Sequence, residues 1–392
     1  MSKVRSRAPH ARQSRREIPW RRLGTAVVAS AVATTGLAFA ARTFLGDGRP
    51  PERLATSVSP QISPLLSVTG RVVETVSLRG ANAVAYGAGS IWVASLGSGS
   101  PDRLLRFDPV TGEELADITV QGVTSWAVGG GGISFGAGGV WVVGSAGGEA
   151  VAQRIDPAVN EVVQTVTLGA GHPADVAADE STVWVTLFPG PDLDHTEVVR
   201  LDSAAGSVTA RISLETAWAR DVAAGGGAVW VLEREVHGST VGRGLVVRVD
   251  PTTGGIVRAV ERGNVDALDM DDGALWVATL TWRDEVDGEF SLIRVDPVTG
   301  QVLDEDVALD PYRVFNMIDA AFGAVWFFGA DPDGSGTVIA RLDPATAEVE
   351  SVVTLPRELA PIDMAVTPDS LWVVNYEGSI TRMDLTYAWG IV

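Results

Sequence analysis

The sequence predicts an all-β protein, a seven-bladed β-propeller of four-stranded blades in which the N-terminal strand closes the last blade. Three observations predict this fold. An Arg-x-Asp motif occurs seven times, and the pair of Val, Ile or Leu followed by Trp also occurs seven times, with the tryptophans of these pairs 43 to 50 residues apart. The last repeat ends one strand short, whereas one extra strand precedes the first repeat. Repeats of about 45 residues with four short strands each are typical of propeller blades.

The two motifs alternate along the chain and divide it into seven repeats. The tryptophans are Trp92, Trp141, Trp184, Trp230, Trp276, Trp326 and Trp372. The Arg-x-Asp motifs begin at Arg106, Arg154, Arg200, Arg248, Arg294, Arg341 and Arg382. In each repeat we predict an inner strand a, a strand b with the tryptophan, a strand c that ends in Arg-x-Asp, and an outer strand d. We expect the tryptophans to pack in the core between blades.

The segments VRVDPTTG (residues 247–254) and IRVDPVTG (residues 293–300) are two copies of the turn that joins strands c and d. The aspartate side chain can accept hydrogen bonds from backbone N–H groups two residues on. Proline fixes its own φ, and glycine allows a positive φ. We therefore interpret the motif as a structural turn rather than as a set of seven binding sites.

The two ends of the repeat region complement each other. Residues 69–78 (TGRVVETVSL) form a turn and a strand d without strands a, b and c of their own, and the last repeat stops after strand c at residues 382–385. We predict that the first strand fills the outer edge of the seventh blade, because closure removes an open strand edge. The propeller then spans residues 69–385, and residues 386–392 form a C-terminal tail.

The first 68 residues predict export from the cytoplasm. Residues 1–22 hold eight Lys or Arg and one Glu, which is typical of a basic cytoplasmic arm. Residues 23–41 carry no charge and would form a helix about 28 Å long, so we assign residues 23–45 to a membrane-directed segment. It is either a single-pass signal anchor or a signal peptide cleaved after the A-x-A sequence at residues 38–40, which would give a secreted protein. The proline-rich residues 46–68 are expected to be a linker.

Composition narrows the possible chemistry and partners. The chain has no cysteine, so disulfides, zinc–thiolate sites and thiol nucleophiles are excluded. The formal net charge is −19, divided into +7 for residues 1–22 and −26 for the remainder. A strongly acidic propeller repels the phosphate backbone, so we expect no nucleic-acid partner, and membrane contact only through the N-terminal helix.

With these residues in hand, the chain resembles the seven-bladed propellers of the YVTN/YncE-like group and of the streptogramin (virginiamycin B) lyase-like group. The resemblance rests on the Gly-x-Gly-x-[Val/Ile/Leu]-Trp-Val and Arg-x-Asp-Pro-x-Thr-Gly elements and covers about 315 residues. The first group implies an extracytoplasmic binding protein. The second implies a lyase that opens a cyclic ester antibiotic with a divalent metal and a histidine base. None of His172, His195 and His237 matches the lyase motif, which puts that activity in doubt.

We predict the functional site on the face that carries the d–a and b–c loops. The a–b and c–d turns of the other face are short and uniform, whereas the d–a and b–c loops are long and differ, most of all in blades 3 to 6. Polar residues near the starts of the inner strands would ring the mouth of the central channel. The candidate ligand-binding residues are Asp175, Trp218, Arg220, Asp221, Asp266, Arg313, Asn316 and Asp363. Asp175, Asp221 and Asp363 have an alternative role, in which they bond the backbone of the next blade.

Two functions stay open at this point. The favoured one is a module that binds a small molecule or a protein on the loop face without a cofactor. The alternative is a metal-assisted lyase or hydrolase, with His172 as the base near Asp175 and Asp221. Carboxylates favour protonated histidine, so this base would need a divalent cation to screen them at neutral pH. The ligands of such a cation are not identified by the sequence.

Overall fold

The computed structural model describes residues 66–69, 71–97, 101–124, 132–188, 195–214, 218–237, 240–261, 264–270, 273–282, 288–308, 313–330 and 336–385. Within these ranges, 29 strands form seven sheets, six with four strands and one with five. The first strands of the seven sheets contact one another in a closed series around a central channel. The predicted all-β, seven-bladed propeller is therefore confirmed.

Two strands precede blade 1, and blades 1 to 4 follow in chain order. The first two strands are β1 (Leu66–Thr69) and β2 (Arg71–Ser77). Blade 1 contains β3 (Ala81–Gly87), β4 (Ser90–Ser95), β5 (Asp102–Phe107) and β6 (Glu114–Val120). Blade 2 contains β7 (Ile133–Gly136), β8 (Gly139–Ala146), β9 (Glu149–Asp156) and β10 (Glu161–Gly169). Blade 3 contains β11 (His172–Ala178), β12 (Thr182–Phe188), β13 (Glu197–Asp202) and β14 (Ser207–Ser213). Blade 4 contains β15 (Trp218–Gly225), β16 (Ala228–His237), β17 (Thr240–Val249) and β18 (Ile256–Glu261).

Blades 5 to 7 complete the ring, and the last two include the N-terminal strands. Blade 5 contains β19 (Asn264–Met270), β20 (Leu275–Trp282), β21 (Gly288–Val295) and β22 (Val302–Ala308). Blade 6 contains β23 (Arg313–Ala321), β24 (Ala324–Ala330), β25 (Thr337–Asp343) and β26 (Glu348–Thr354), with β1 added at its outer edge. Blade 7 contains β27 (Pro361–Val366), β28 (Ser370–Asn375) and β29 (Ser379–Asp384), with β2 as its outer strand.

The N-terminal strands close the ring in two steps. The strand β2 pairs antiparallel with β29 from Arg71–Asp384 to Ser77–Ser379, as the incomplete last repeat predicts. The strand β1 pairs parallel with β26, from Leu66–Ser351 to Thr69–Thr354. This second pairing falls mostly within the segment that the sequence led us to interpret as a linker. The chain therefore lies along the outer edges of blades 6 and 7 in succession.

The apolar core lies between neighbouring blades, and the seven tryptophans are part of it. None of these side chains is more than 4 % exposed. Trp92 of blade 1, for example, belongs to one buried cluster with Val140 and Ile155 of blade 2. The predicted packing role of the tryptophans is confirmed.

The arginine of each Arg-x-Asp motif lies directly across the ladder from the tryptophan of the same blade. The register pairs Trp92 with Arg106 and Trp276 with Arg294, and the pattern continues in the other blades. In five blades the guanidinium carbon lies 5.1 to 6.0 Å from the centroid of the tryptophan ring, a distance that permits a cation–π interaction.

Several of these arginines also reach the c–d turn of the next blade. Arg106 Nη1 donates to the carbonyl oxygen of Pro157 at 2.6 Å and to Asn160 Oδ1 at 2.8 Å. Arg294 Nη1 donates to the carbonyl oxygen of Pro344 at 3.0 Å. The second motif thus connects two blades, a role that its recurrence alone did not identify.

The aspartate of the motif shapes the c–d turn as predicted. Asp296 Oδ1 accepts hydrogen bonds from the N–H groups of Val298 and Thr299, both at 2.8 Å. Gly300, which ends the same turn, has a φ of 74°. The structural interpretation of this motif is confirmed.

The predicted basic arm and membrane-directed helix lie outside the described residues. Among the residues that are described, no helix has the length and apolar character needed to cross a membrane. The membrane prediction is therefore carried by the sequence of residues 1–45 alone.

Candidate functional site

The loop face is raised on one side of the ring. Strands β16 and β17 of blade 4 have ten residues each, whereas β28 and β29 of blade 7 have six each. The longer hairpin extends toward the b–c side, since its additional pairs Val236–Val241 and His237–Thr240 lie beyond Arg234. The hairpin of blade 4 therefore projects further on the loop face than that of blade 7, next to the start of the inner strand β15.

An aromatic pair lies beside the β16–β17 hairpin, between blades 3 and 4. The rings of Phe188, at the end of β12, and Trp218, at the start of β15, have centroids 5.5 Å apart and an interplanar angle of 36°. Phe188 is buried and Trp218 is half-buried. The exposed His172 lies directly across the ladder from Phe188. Three residues from two blades thus form a partly apolar surface on the loop face.

Charged groups adjoin the aromatic pair. Arg220 Nε lies 3.4 Å from Asp221 Oδ1, and these side chains are 18 % and 13 % exposed. Arg234, across the ladder from Trp218, donates from Nε to the carbonyl oxygen of Val265 at 3.1 Å. The predicted residues Trp218, Arg220 and Asp221 thus lie within one four-residue stretch of β15.

A second polar group on blade 3 was not predicted. His195 Nε2 lies 3.0 Å from Ser213 Oγ and 3.3 Å from Glu197 Oε1, and Arg211 Nη1 donates to Glu197 Oε2 at 2.7 Å. These two contacts of the histidine use the same ring nitrogen, Nε2. The members of this polar group come from the b–c loop and from strands β13 and β14, and their meeting depends on the register of that hairpin.

Two predicted ligand residues have the alternative, structural role. Asp175 accepts hydrogen bonds from the N–H groups of Gly132 and Val176 at Oδ1 and of Val222 in blade 4 at Oδ2. Asp363 Oδ2 accepts the N–H of Val84 in blade 1 at 2.7 Å, and its Oδ1 accepts the N–H of Met364. Ligand binding by these aspartates stays a prediction.

The same contact recurs at other blade junctions, in residues that the sequence analysis did not single out. Asp269 Oδ2 accepts the N–H of Ala320 at 2.7 Å, and Asp319 Oδ2 accepts the N–H of Val366 at 3.1 Å. Ser134 Oγ accepts the N–H of Ala178 at 2.9 Å. In each case a side-chain oxygen of one inner strand accepts a hydrogen bond from a backbone N–H group in the inner strand of the next blade.

Burial changes the acidity of these carboxyl groups. Desolvation raises the pKa of Asp175 to about 7, of Asp269 to about 8 and of Asp319 to about 6. It also raises the pKa of Asp363 well above its usual value. Neighbouring carboxylates act in the same direction, mainly Asp221 on Asp175 and Asp319 on Asp269. Hydrogen bonds from backbone N–H groups oppose the shift because they stabilise the ionised form.

The remaining predictions are not tested by the structure. Asp266, Arg313 and Asn316 lie on β19 and β23, but their side chains are outside the described residues. The side chain of His172 makes no hydrogen bond or ion pair within the described ranges. Nor do the described residues contain a group of three or more His, Asp or Glu side chains that could hold a metal ion. Catalysis by His172 with a divalent cation stays a prediction.

Comparison with known proteins gives the fold alone. No protein-family model matches the chain, and no curated protein sequence matches it. The structure is similar to the Pan2 WD40 domain of Neurospora crassa, with a TM-score of 0.56 and 9 % identity over 81 % of this chain and 96 % of that one. It is similar to hydrazine synthase of Kuenenia stuttgartiensis, with a TM-score of 0.54 and 12 % identity over 80 % and 98 % of the two chains. A chain of a mitotic checkpoint complex gives a TM-score of 0.57 and 10 % identity over 87 % and 99 %.

Proposed function

We propose that this propeller is an exported binding module that holds another protein on the loop face of blades 3 and 4. The observation that carries the proposal is the pair of Phe188 and Trp218 beside the half-buried ion pair of Arg220 and Asp221. Tryptophan and arginine are enriched among the residues that contribute most to protein–protein affinity. A rim of charge around an aromatic centre is typical of such interfaces.

The proposal is supported by two further considerations. One structural neighbour is part of a mitotic checkpoint complex, and a propeller in an assembly is consistent with protein binding here. The acidic propeller disfavours nucleic acid as an alternative partner. A small molecule at the channel mouth is the other ligand class that the loop face could hold.

Export and membership of the YVTN/YncE-like group belong to the same proposal. They are supported by the basic arm, the uncharged segment that follows it and the repeat motifs. The test is a fusion of residues 1–68 to a reporter that is active only outside the cytoplasm. We expect an active reporter, and an inactive one retained in the cytoplasm would overturn the export proposal.

Protein binding at the proposed face is tested by photo-crosslinking in intact cells of the source organism. A photoreactive phenylalanine analogue replaces His172, which is exposed and adjoins Phe188. We expect a covalent adduct of defined mass, and we expect Trp218→Ala to abolish it. The matched control places the analogue at Val298, which is 60 % exposed in a c–d turn on the opposite face. The same adduct from both positions, or one that survives Trp218→Ala, would show that the interface is elsewhere.

A further inference from the structure

The arginine of the Arg-x-Asp motif lacks its usual partners in blade 2. In blade 1, Arg106 Nε donates to Ser90 Oγ at 2.9 Å, and its Nη1 donates to the carbonyl oxygen of Pro157 and to Asn160 Oδ1. Arg154 is the equivalent residue of blade 2, and within the described residues its guanidinium group makes no hydrogen bond, ion pair or cation–π contact. Its Nε is shielded from solvent. A buried donor without an acceptor is costly, and a ligand from outside the chain can satisfy it.

Two glycines account for the missing side-chain acceptors. Gly139 occupies the place of Ser90, since each of these residues pairs with the last residue of the preceding strand. Gly206 occupies the place of Asn160, since each donates its N–H to the backbone carbonyl oxygen of the aspartate that begins the c–d turn. The sequence of blades 2 and 3 therefore removes both side-chain acceptors that Arg106 uses in blades 1 and 2.

A cavity of about 560 Å³ lies where these acceptors are missing. It opens on the face that carries the a–b and c–d turns, and its lining comes from blades 2 and 3, including Arg154, Gly138 and Thr182. Ala152, on the same side of β9 as Arg154, belongs to one buried cluster with Leu201 of blade 3. The Arg154 side chain therefore points into the junction between the two blades. A volume of about 300–1,000 Å³ is typical of small-molecule sites.

The charges in the lining of this cavity are separated by depth. Arg154 is half-buried and its neighbours Thr182 and Ser203 are buried, whereas Glu180 and Asp202 are exposed. Neither carboxylate forms an ion pair with the arginine among the described residues. The positive charge thus lies deeper in the cavity than the two negative charges, which lie at its rim.

This arrangement selects for the chemistry of a ligand. A guanidinium group binds carboxylates and phosphates through paired hydrogen bonds. Carboxylates at the rim repel a second negative charge and attract a cation. We propose that the cavity binds a small molecule with a carboxylate at one end, held by Arg154, and an amino group at the other, held by Glu180. This site lies on the face opposite to the proposed protein interface and is independent of it.

Saturation-transfer NMR on the full chain tests the proposal. The probes are ε-aminocaproate, which carries both groups, caproate, which lacks the amine, and hexylamine, which lacks the carboxylate. At constant ionic strength and up to tens of millimolar probe, we expect saturation transfer to ε-aminocaproate, weaker transfer to caproate and none to hexylamine. The absence of transfer to both carboxylates in the wild type would overturn the proposal.

Two arginine variants assign the binding to the cavity. Arg154→Gln should weaken the binding of ε-aminocaproate at least about tenfold, because hydrogen bonds from a charged donor are lost. The matched control is Arg248→Gln. Arg248 has the same motif position in blade 4 and an Nε without a hydrogen bond, but its side chain lies beside Gly300 and does not line the cavity. We expect the control to bind like the wild type, and equal binding by Arg154→Gln would show that the site is elsewhere.

A third variant keeps Arg154 and gives it an acceptor within the chain. Gly206→Asn introduces the side chain that Asn160 offers to Arg106. Asn160 itself has a φ of 57°, close to the 64° of Gly206, and asparagine tolerates such values. The three atoms nearest to a Cβ at this position all belong to the flexible side chain of Gln164. We expect weaker probe binding together with an unchanged or higher melting temperature, which separates loss of the site from loss of the fold.

Inorganic phosphate distinguishes the other anion that a guanidinium group can hold. Added as a competitor, it should displace ε-aminocaproate only at much higher concentration than caproate does. Displacement at lower concentration, lost in Arg154→Gln, would assign the cavity to phosphate and would overturn the proposed ligand class.

Discussion

At the scale of single residues, the c–d turn shows how strictly the backbone constrains the sequence. Six described c–d turns end in a residue with a φ between 57° and 80°. Four of these residues are glycine, and the other two are Asn160 and Ala347. An alanine in this conformation costs more than glycine because its Cβ approaches the following carbonyl oxygen.

Replacing Ala347 with glycine should stabilise the protein slightly. Glycine has no Cβ and adopts the left-handed conformation without strain, which stabilises the folded protein by about 1 kcal/mol. The greater conformational entropy of glycine in the unfolded chain offsets part of this stabilisation. We expect the free energy of unfolding in urea to rise by roughly 0.5 kcal/mol. The reverse change, Gly300→Ala, meets only ordinary contacts with Trp230 and Arg248, so it should cost about 1 kcal/mol through strain alone. If both substitutions raised the free energy of unfolding, or both lowered it, this account would be wrong.

The inner-strand carboxyl groups predict a pH dependence. Their pKa values in the folded protein are raised above 3.8, to about 7 for Asp175 and about 8 for Asp269. A raised folded pKa means that the folded state holds a proton that the unfolded chain has already lost. The resulting stabilisation is complete below about pH 4 and is lost as the pH rises through these folded pKa values.

The matched variant for this effect is Asp269→Asn, which cannot ionise. Between pH 5 and pH 8 we expect the melting temperature of the wild type to fall more steeply than that of the variant. The exposed turn residues Asp108, Asp250 and Asp296 do not interfere in this range, because backbone N–H groups lower their pKa values. Their contribution is present above the unfolded pKa and is lost only at more acidic pH. Parallel curves for the two proteins would show that Asp269 is ionised throughout the range.

At the scale of strands and turns, recurrence in the sequence identified the elements but not the contacts between them. The spacing of the tryptophans and of the Arg-x-Asp motifs predicts strands b and c in every blade. The direct pairing of Trp276 with Arg294, however, depends on the register of the hairpin, and loop lengths vary between repeats. Sequence spacing cannot fix a register across loops of differing length, so the link from arginine to the next blade was missed.

The candidate site residues also differ in how far the sequence predicts them. Trp218, Arg220 and Asp221 were predicted from their place at the start of an inner strand, and a strand boundary is visible in sequence. The cluster of His195, Glu197 and Arg211 joins a loop to strands c and d. Which of these side chains meet depends on the pairing of Glu197 with Ser213, and the sequence alone does not give that register.

The link between blades 5 and 6 can be tested at Arg294. Lysine keeps the charge but loses the planar group that lies 5.6 Å from the Trp276 centroid, and its geometry does not reproduce the 3.0 Å hydrogen bond to Pro344. We expect Arg294→Lys to lower the free energy of unfolding by about 1–2 kcal/mol in urea. Arg154 occupies the equivalent position in blade 2, yet within the described residues its guanidinium group makes no hydrogen bond, ion pair or cation–π contact. Arg154→Lys should therefore cost clearly less, and an equal cost would assign the effect to strand packing.

At the scale of the whole molecule, closure is the feature that the sequence predicted best. The missing strand of the last repeat and the extra strand before the first one required β2 to pair with β29. The additional pairing of β1 with β26 was not foreseen, because its residues, LSVT, follow a proline-rich segment and belong to no repeat.

Two truncations distinguish the contributions of these strands. Removal of residues 1–79 deletes both β1 and β2 and leaves β29 as an open edge, so we expect aggregation or a large fall in melting temperature. Removal of residues 1–70 deletes β1 but keeps β2, and we expect a much smaller fall. The comparison uses melting temperature together with the fraction of monomer in gel filtration. Identical behaviour of the two truncated proteins would show that β2 does not close the ring.

The pairing of β2 with β29 also has a consequence in time. The hydroxyl groups of Thr75 and Thr381 lie 3.1 Å apart, yet they are 306 positions apart in the chain. A ribosome that adds about 5–20 residues per second completes β29 roughly 15–60 seconds after β2. During that interval β2 has no partner strand, so the backbone N–H and C=O groups that later pair with β29 are unpaired. Among the described strands, β2 is translated second, yet it can pair only after β29, the last of them, has been translated.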